Sequence, residues 1–353
     1  MGKIELDHTG SGSGITLSSD GTSLLLGGTA IGGGADLYVA NESSPANQPT
    51  AAGANAIGIG DTAQAAGADG VAIGLQSYAR AQSALGLFGD AQNTESISIG
   101  KGSAASADGA VQLGRNGYAT ATDAVSLGKS RASGVDSFAA VIDNNTSSYG
   151  AASNYAIVMG QNSKGSSTET IAIGISTQAT ANAAVAIGGF SEATAQRGVA
   201  LGNYAKAATI GKFAFSNQRF AAAGDSQGGL FILRADTTDA TATVLTTNNS
   251  TAAATNQIVA ASDTCIMFSG TLVAMQNGAQ DQGGWEIKGL LKNDGGTTTL
   301  VSSNIQTFDD GNGWVVALTA DNTNNALAIT CTGEAAHNIR WVANIQTSEV
   351  TYA

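Results

Sequence analysis

Charge and reactive side chains are both scarce in this sequence. Of 353 residues only 12% are charged, and there are two cysteines, two prolines and two histidines. His8 and His337 are too few and too far apart for a histidine-built metal cluster. Cys265 and Cys331 stand in hydrophobic stretches, where an isolated cysteine is ordinarily a small core residue; a disulfide between them is the alternative. No basic run occurs and the formal net charge is −12, so the electrostatic footprint of a nucleic-acid binder is missing. No run of 18 apolar residues exists, which excludes a membrane-spanning helix. The opening MGKIELDHTG has no apolar leader.

Glycine is abundant instead. Its 47 copies are near twice the share of about 7% usual in proteins. A chain rich in Gly, Ala, Ser and Thr is compatible with disorder, but here the aliphatic residues recur with a period. Aligned on the glycine that follows an aliphatic pair, the chain shows Gly60, Gly74, Gly86, Gly100, Gly114, Gly128, Gly160, Gly174, Gly188 and Gly202. Seven of these nine steps are 14 residues; Gly74 to Gly86 is 12, and Gly128 to Gly160 is 32. The long step holds a degenerate repeat, SFAAVID, with Ile142 at the expected place.

One and three residues before most of these glycines stand large aliphatics, such as Val71 and Ile73 or Val185 and Ile187. Three, five and seven residues after it come small ones, such as Ser77, Ala79 and Ala81. Spacing of two within each block, with abundant Val, Ile and Thr, points to strands and against helices. Each repeat is therefore two short strands and two turns, one coil of a parallel β-solenoid, with the glycine at a corner. Coils stack at about 4.8 Å, so some eleven make a rod of roughly 50 Å. On this reading Val71 and Ile73 face the coil's interior. The residue between them faces out, and it is small: Ala72, Ala84, Ala172, Ala186 and Ala200. A small outward residue suits a face packed on another copy, so these five alanines are the expected interface between copies of the chain, whether two or three. The other outward position carries Tyr78, Asp90, Tyr118, Lys164, Glu192 and Lys206, as a solvated face would.

The ends differ from the middle. Residues 1–50 hold one expected hairpin, GITLSSDGTSLLLGG, turning at Asp20-Gly21, and then a linker with both prolines. The repeats span 51–210, and 211–227 reads as a linker. Residues 228–353 hold all three tryptophans and alternate in short strands between Gly, Asn and Asp turns, the pattern of an antiparallel β-sandwich or jelly roll.

Chemistry is hard to find. Asp69, Asp108 and Asp123 sit near coil corners, where Asp is ordinary turn chemistry. FDDGNGW reads as a hairpin turn and lacks the alternating oxygen ligands of a calcium loop. No G-x-S-x-G elbow occurs, and GTAIGGGAD lacks the Lys-Ser/Thr of a phosphate-binding loop. Neither an enzyme nor a cofactor is expected. Binding loops remain: Met275–Gly284, with Gln276, Asn277, Gln280 and Asp281 around Gly278; the turn with Asp309, Asp310 and Asn312; and the turn with Asn322 and Asn324. Their amides and carboxylates suit sugar hydroxyls.

The pattern V-x-I-G-x-x-S-x-A-x-A at a 14-residue period resembles the head repeat of YadA-like trimeric autotransporter adhesins across about residues 55–210. That resemblance implies a left-handed parallel β-roll wound as a homotrimer. The signal peptide, heptad stalk and membrane-barrel segment of such adhesins are not found here. The same module occurs in bacteriophage tail fibres. The opening IELDHTGSGSGITLSSDG is similar to the start of marine phage fibre proteins, cyanophage fibres included, and the ending ALAITCTGEAAHNIRWVANIQTSEV is similar to their carboxy-terminal domain. The implied protein is a structural tail fibre or short spike of the virion, made in the host cytoplasm. Its N-terminus would meet a tail or baseplate protein, and its C-terminal domain a host-surface glycan or protein, with no nucleic acid and no membrane insertion. Alternatives are a capsid-attached fibre, a bacterial adhesin fragment and a polysaccharide-degrading tailspike.

Overall fold

The structure, a computed structural model, describes residues 47–141, 143, 148–278, 281–311 and 313–352, together with the backbone of four N-terminal strands. The chain divides into two compact units, Met1–Gly128 and Lys129–Ala353. The described residues form strands and turns and no helix.

The first unit opens with an antiparallel meander of Ile4–Leu6, Ile15–Ser19, Leu24–Leu26 and Thr29–Ile31. The expected hairpin is its second and third strands; its Asp20-Gly21 turn lies outside the described residues. Six coils of a parallel β-solenoid follow, from Thr50–Ala51 to Val125–Leu127. Each coil contributes one three-residue strand, such as Val71–Ile73, and one two-residue strand, such as Tyr78–Ala79, to two separate parallel stacks. Isolated strands this short are not stable; the ladder between coils holds them, with Ile57 opposite Val71 and Val111 opposite Val125.

The inside and the outside of the coil are the reverse of the expectation. Ala72, Ala84, Ala172, Ala186 and Ala200 are 0–1% exposed within a single chain, so none of their surface is left for a neighbouring chain. The flanking aliphatics, Val71 and Ile73 among them, are only half-buried. The reason is the thinness of the coil. Its interior is closed on the far side by Ser77 and Ala79, and the core of this unit is a cluster of alanines, Ala56, Ala63, Ala65, Ala72, Ala79, Ala84 and Ala91. Where the far side carries Ser or Ala, no large side chain fits between sheets so close, so the large ones are pushed out.

Register also moves one coil boundary. Leu85–Leu87 pairs with both Val71–Ile73 and Ile97–Ile99, which puts Gly86 opposite Ala72 and Ser98, inside the coil. Phe88, not Gly86, then holds the corner, and the two missing residues are lost from the turn after it. In the regular coils the corner needs glycine. Gly174 has φ +139°, and a Cβ there would run into the carbonyl oxygen of Gly188 on the next coil. Buried hydroxyls line that corner: the Ser77 Oγ donates to the Ile73 carbonyl (2.7 Å) and accepts from the Phe88 N–H (2.7 Å). Two coils hold a larger inward side chain, Val158 in space left by Gly165 and Gln112 in space left by Gly117. Gln112 lies fully buried in the interior, and any Cβ at Gly117 would strike its amide.

The second unit begins with six more coils, from Arg131–Ala132 to Phe213–Ser216. In the degenerate coil Ala140 pairs with Met159, so Val141 stands where Gly160 stands in the next; Ile142 lies outside the described residues. The solenoid also runs one strand further than expected. Phe213–Ser216 pairs with Val199–Gly202, within the stretch read as linker, because phenylalanines replace the aliphatic pair there. Aromatic rings on successive outer corners stack, Phe190 on Tyr204 at 4.9 Å, with the Arg219 guanidinium 3.9 Å over Tyr204.

The last coil strand pairs antiparallel with Ser226–Thr237, the first long strand of the C-terminal sheets. The larger sheet runs in the order Ser226–Thr237, Ile339–Thr351, Thr264–Gln276, Gln282–Asp294, Thr297–Asp310, all antiparallel. The smaller one is built on Ala326–Thr332, flanked by Val315–Asp321 on one side and by Thr243–Val244 and Ile258–Val259 on the other. One core fills the space between them, including Phe231, Leu272, Ile287, Leu327 and Ile345. Phe308–Asp310, expected in a turn, belongs to the 14-residue edge strand. Cys265 and Cys331 are both free; Cys331 is buried, and burial pushes its thiol up to about 12.

Candidate functional site

Two surfaces stand out among the described residues. Among the described residues no group of three His, Cys, Asp or Glu side chains is close enough to hold a metal ion. Among the same residues no helix is long and apolar enough to cross a membrane.

The first surface is the outward face of the coils. In the second unit, register partners Ile187, Leu201 and Phe215 are 37%, 42% and 54% exposed on three successive coils. Ile157 and Met159 are similarly exposed on an earlier coil, and Ile57 and Leu113 are so in the first unit. Exposed aliphatics that recur at the same place on successive coils form a stripe, not a scatter, and such stripes mark interaction surfaces.

A buried ion pair joins the last coil to the C-terminal sheets. The Lys212 Nζ donates to Glu349 Oε2 at 2.6 Å, and both side chains are almost fully buried. Gln227 Nε2 and Thr347 Oγ1 also donate to Glu349, at 2.8 and 2.7 Å, so the carboxylate is satisfied on both oxygens. Nearby, Asp225 accepts from the backbone N–H groups of Phe220, Ala221 and Ala222. Burial alone would raise that carboxyl, but the three N–H groups outweigh it and hold it below the usual carboxylate range.

The second surface lies at the end of the larger sheet furthest from the last coil strand. Antiparallel register brings Asp236, Arg340 and Met275 side by side there, on the outer face of three neighbouring strands. Thr237, Ile339 and Gln276 follow on the inner face. These residues, with Thr238, Asn277, Gly278 and Asn338, line a cleft of about 540 Å³. The Arg340 Nε donates to Asp236 Oδ1 at 3.2 Å, and Asn249 Nδ2 donates to Asp236 Oδ2 at 2.7 Å. Beneath the cleft Trp341 stacks against Trp285 and meets Trp314 at a 59° tilt, and its indole N–H donates to Thr237 Oγ1 at 3.0 Å. All three tryptophans are core residues, and they give the end of the sheet a rigid floor.

Of the expected loop residues, register gathers Gln276, Asn277, Asp281, Asp309 and Asp310 at this end. Gln282 Nε2 donates to Asp309 Oδ2 at 2.8 Å. The Gly311 N–H and this amide hold the Asp309 carboxyl below its usual range. Gln280 and Asn312 lie outside the described residues. Asn322 and Asn324 sit at the opposite end of the domain, where Asn322 Oδ1 accepts from the Thr298 N–H and Asn324 is tied to Asp321. Asp236, Asn338 and Arg340 were not anticipated, because no local pattern marks them; only strand pairing unites them. Comparison with protein-family models and with curated proteins finds no match for this chain.

Proposed function

We propose that the chain is a structural fibre protein of a bacteriophage tail. It is a homotrimer whose 14-residue coils wind as a left-handed β-roll around a threefold axis. The N-terminal meander docks on the tail, the solenoid is a stiff spacer, and the C-terminal domain binds the host surface. The observation that carries this reading is the stripe of half-exposed aliphatics on the coils. A coil filled with Ala and Ser buries little apolar surface and is marginal by itself. Removing its outer aliphatics from water against copies of the same stripe stabilises every coil at once. Reactive chemistry has no place in such a spacer, and three tips per fibre multiply weak contacts into firm adsorption.

The test combines two measurements. Light scattering on the purified protein is expected to give three times the 34.9 kDa chain mass. Immunogold labelling of phage particles that encode the chain is expected to mark the tail. A monomer in solution, or label confined to the capsid, refutes the proposal.

A further inference from the structure

We infer that the cleft at the far end of the larger sheet binds a neutral saccharide chain of at least two residues. The inference rests on the reading of the C-terminal domain as the host-facing part and names the ligand class of its site.

Four observations carry it. First, the cleft is not single. A neighbouring cleft of about 440 Å³, lined by Arg234, Asn248, Asn249 and Val342, shares Asp236 and Arg340 with the 540 Å³ one. The ion pair is thus a ridge between two compartments, each within the size range of small-molecule sites. Second, the charges on the ridge cancel. Asp236 is engaged on both oxygens, so the site offers no free carboxylate to a cation. Arg340 is 87% exposed along its side chain and spends its Nε on Asp236, which leaves its outer N–H fork turned to solvent.

Third, Gln276 in the wall of the larger cleft is only 7% exposed, and among the described residues its Oε1 has no hydrogen-bond partner. An unpaired buried acceptor is costly, and a turn of the Gln276 amide that brings its Oε1 into the cleft lets a ligand hydroxyl remove that cost. Fourth, the remaining open polar lining is amide and hydroxyl, Asn277, Asn338 and Thr238, while the buried Thr237 hydroxyl is engaged with the Trp341 indole. Each presents a donor and an acceptor together, which matches vicinal hydroxyls that both give and take protons. A protein partner would need a deep apolar hole for an anchor side chain. The apolar lining here is Met275 and Ile339, and Ile339 is buried.

The test uses the full chain on a biosensor with neutral oligosaccharides from mannan, dextran and galactan, their monosaccharides, and anionic alginate fragments. The expected result is retention of at least one neutral series, with oligosaccharides held more tightly than their monosaccharides. Arg340→Ala and Arg340→Lys are both expected to weaken it about tenfold, since the fork and not the charge makes the contact. Arg340 is a surface residue, so these variants keep the fold, and their melting temperatures check that. Loss of binding in Asn338→Ala would support the same site. The inference is overturned if no neutral saccharide is retained, if alginate alone is bound, or if Arg340→Ala binds like the parent. It also fails if retention needs a host protein and not its glycan. None of these outcomes touches the trimer mass or the tail labelling, so the fibre reading stands or falls separately.

Discussion

Replacing Leu201 with lysine tests the outward stripe directly. Leu201 lies between Ile187 and Phe215 in the ladder and is 42% exposed in the single chain. Full burial of a leucine is worth about 1.5–3 kcal/mol, so covering the exposed 42% contributes about 0.6–1.3 kcal/mol per chain. In an isolated chain, Leu201→Lys is a surface change, and the lysine stem still covers its neighbours; the expected loss is about 0.5 kcal/mol or less. In a trimer the same change puts three ammonium groups into one desolvated layer. Each costs several kcal/mol unless it escapes to water, and the three repel one another. The expected outcome is therefore dissociation or a sharply lower melting temperature. Analytical ultracentrifugation and thermal unfolding read both. Ala186→Leu is the companion: it overpacks the coil interior and should destabilise the chain whatever its assembly. A trimer that keeps its mass and melting temperature with Leu201→Lys refutes the covered stripe.

Two further outcomes follow from packing. Gly117→Ser should cost about 1–3 kcal/mol, because the new side chain meets both the Gln112 amide and the Gly128 carbonyl oxygen; adding Gln112→Ser removes the first contact and offers a hydroxyl pair like that of Ser98 and Ser103 (Oγ to Oγ, 2.9 Å), so it should recover part of the loss but not all of it in urea unfolding. Lys212→Met should cost about 3–5 kcal/mol by leaving the Glu349 carboxylate buried without its cation, and Lys212→Met with Glu349→Leu should recover most of that in the same assay.

Much of the fold is legible in the sequence because a solenoid is built locally. The period sets the length of a coil, alternation sets its strands, and glycines with φ near +110°, such as Gly60 and Gly74, mark its corners. Seven long or medium strands of the C-terminal domain coincide with its alternating stretches, since one face of each lies on the core. The site was less legible. Gln276 and Asn277 were found through their loop composition, but Asp236 and Arg340 are 104 residues apart and meet only across a strand pair. Asn322 and Asn324 looked equivalent to Asp309 in composition and lie at the other end, because composition carries no information about which end of a sandwich a turn occupies.

The sequence by itself determined that these residues form coils, and that each coil strand has one face of small side chains and one of large. Which face is inside was decided only by the tertiary structure. Alternation is symmetric between the two faces, whereas the gap between the two sheets of a coil is set by what stands opposite, Ser77 and Ala79 facing Ala72. With Ser and Ala opposite, that gap admits a methyl group, and it takes Val158 or Gln112 only where a glycine, Gly165 or Gly117, stands across from it. The aliphatics that seemed to be the core are therefore the surface, and the alanines that seemed to be the surface are the core.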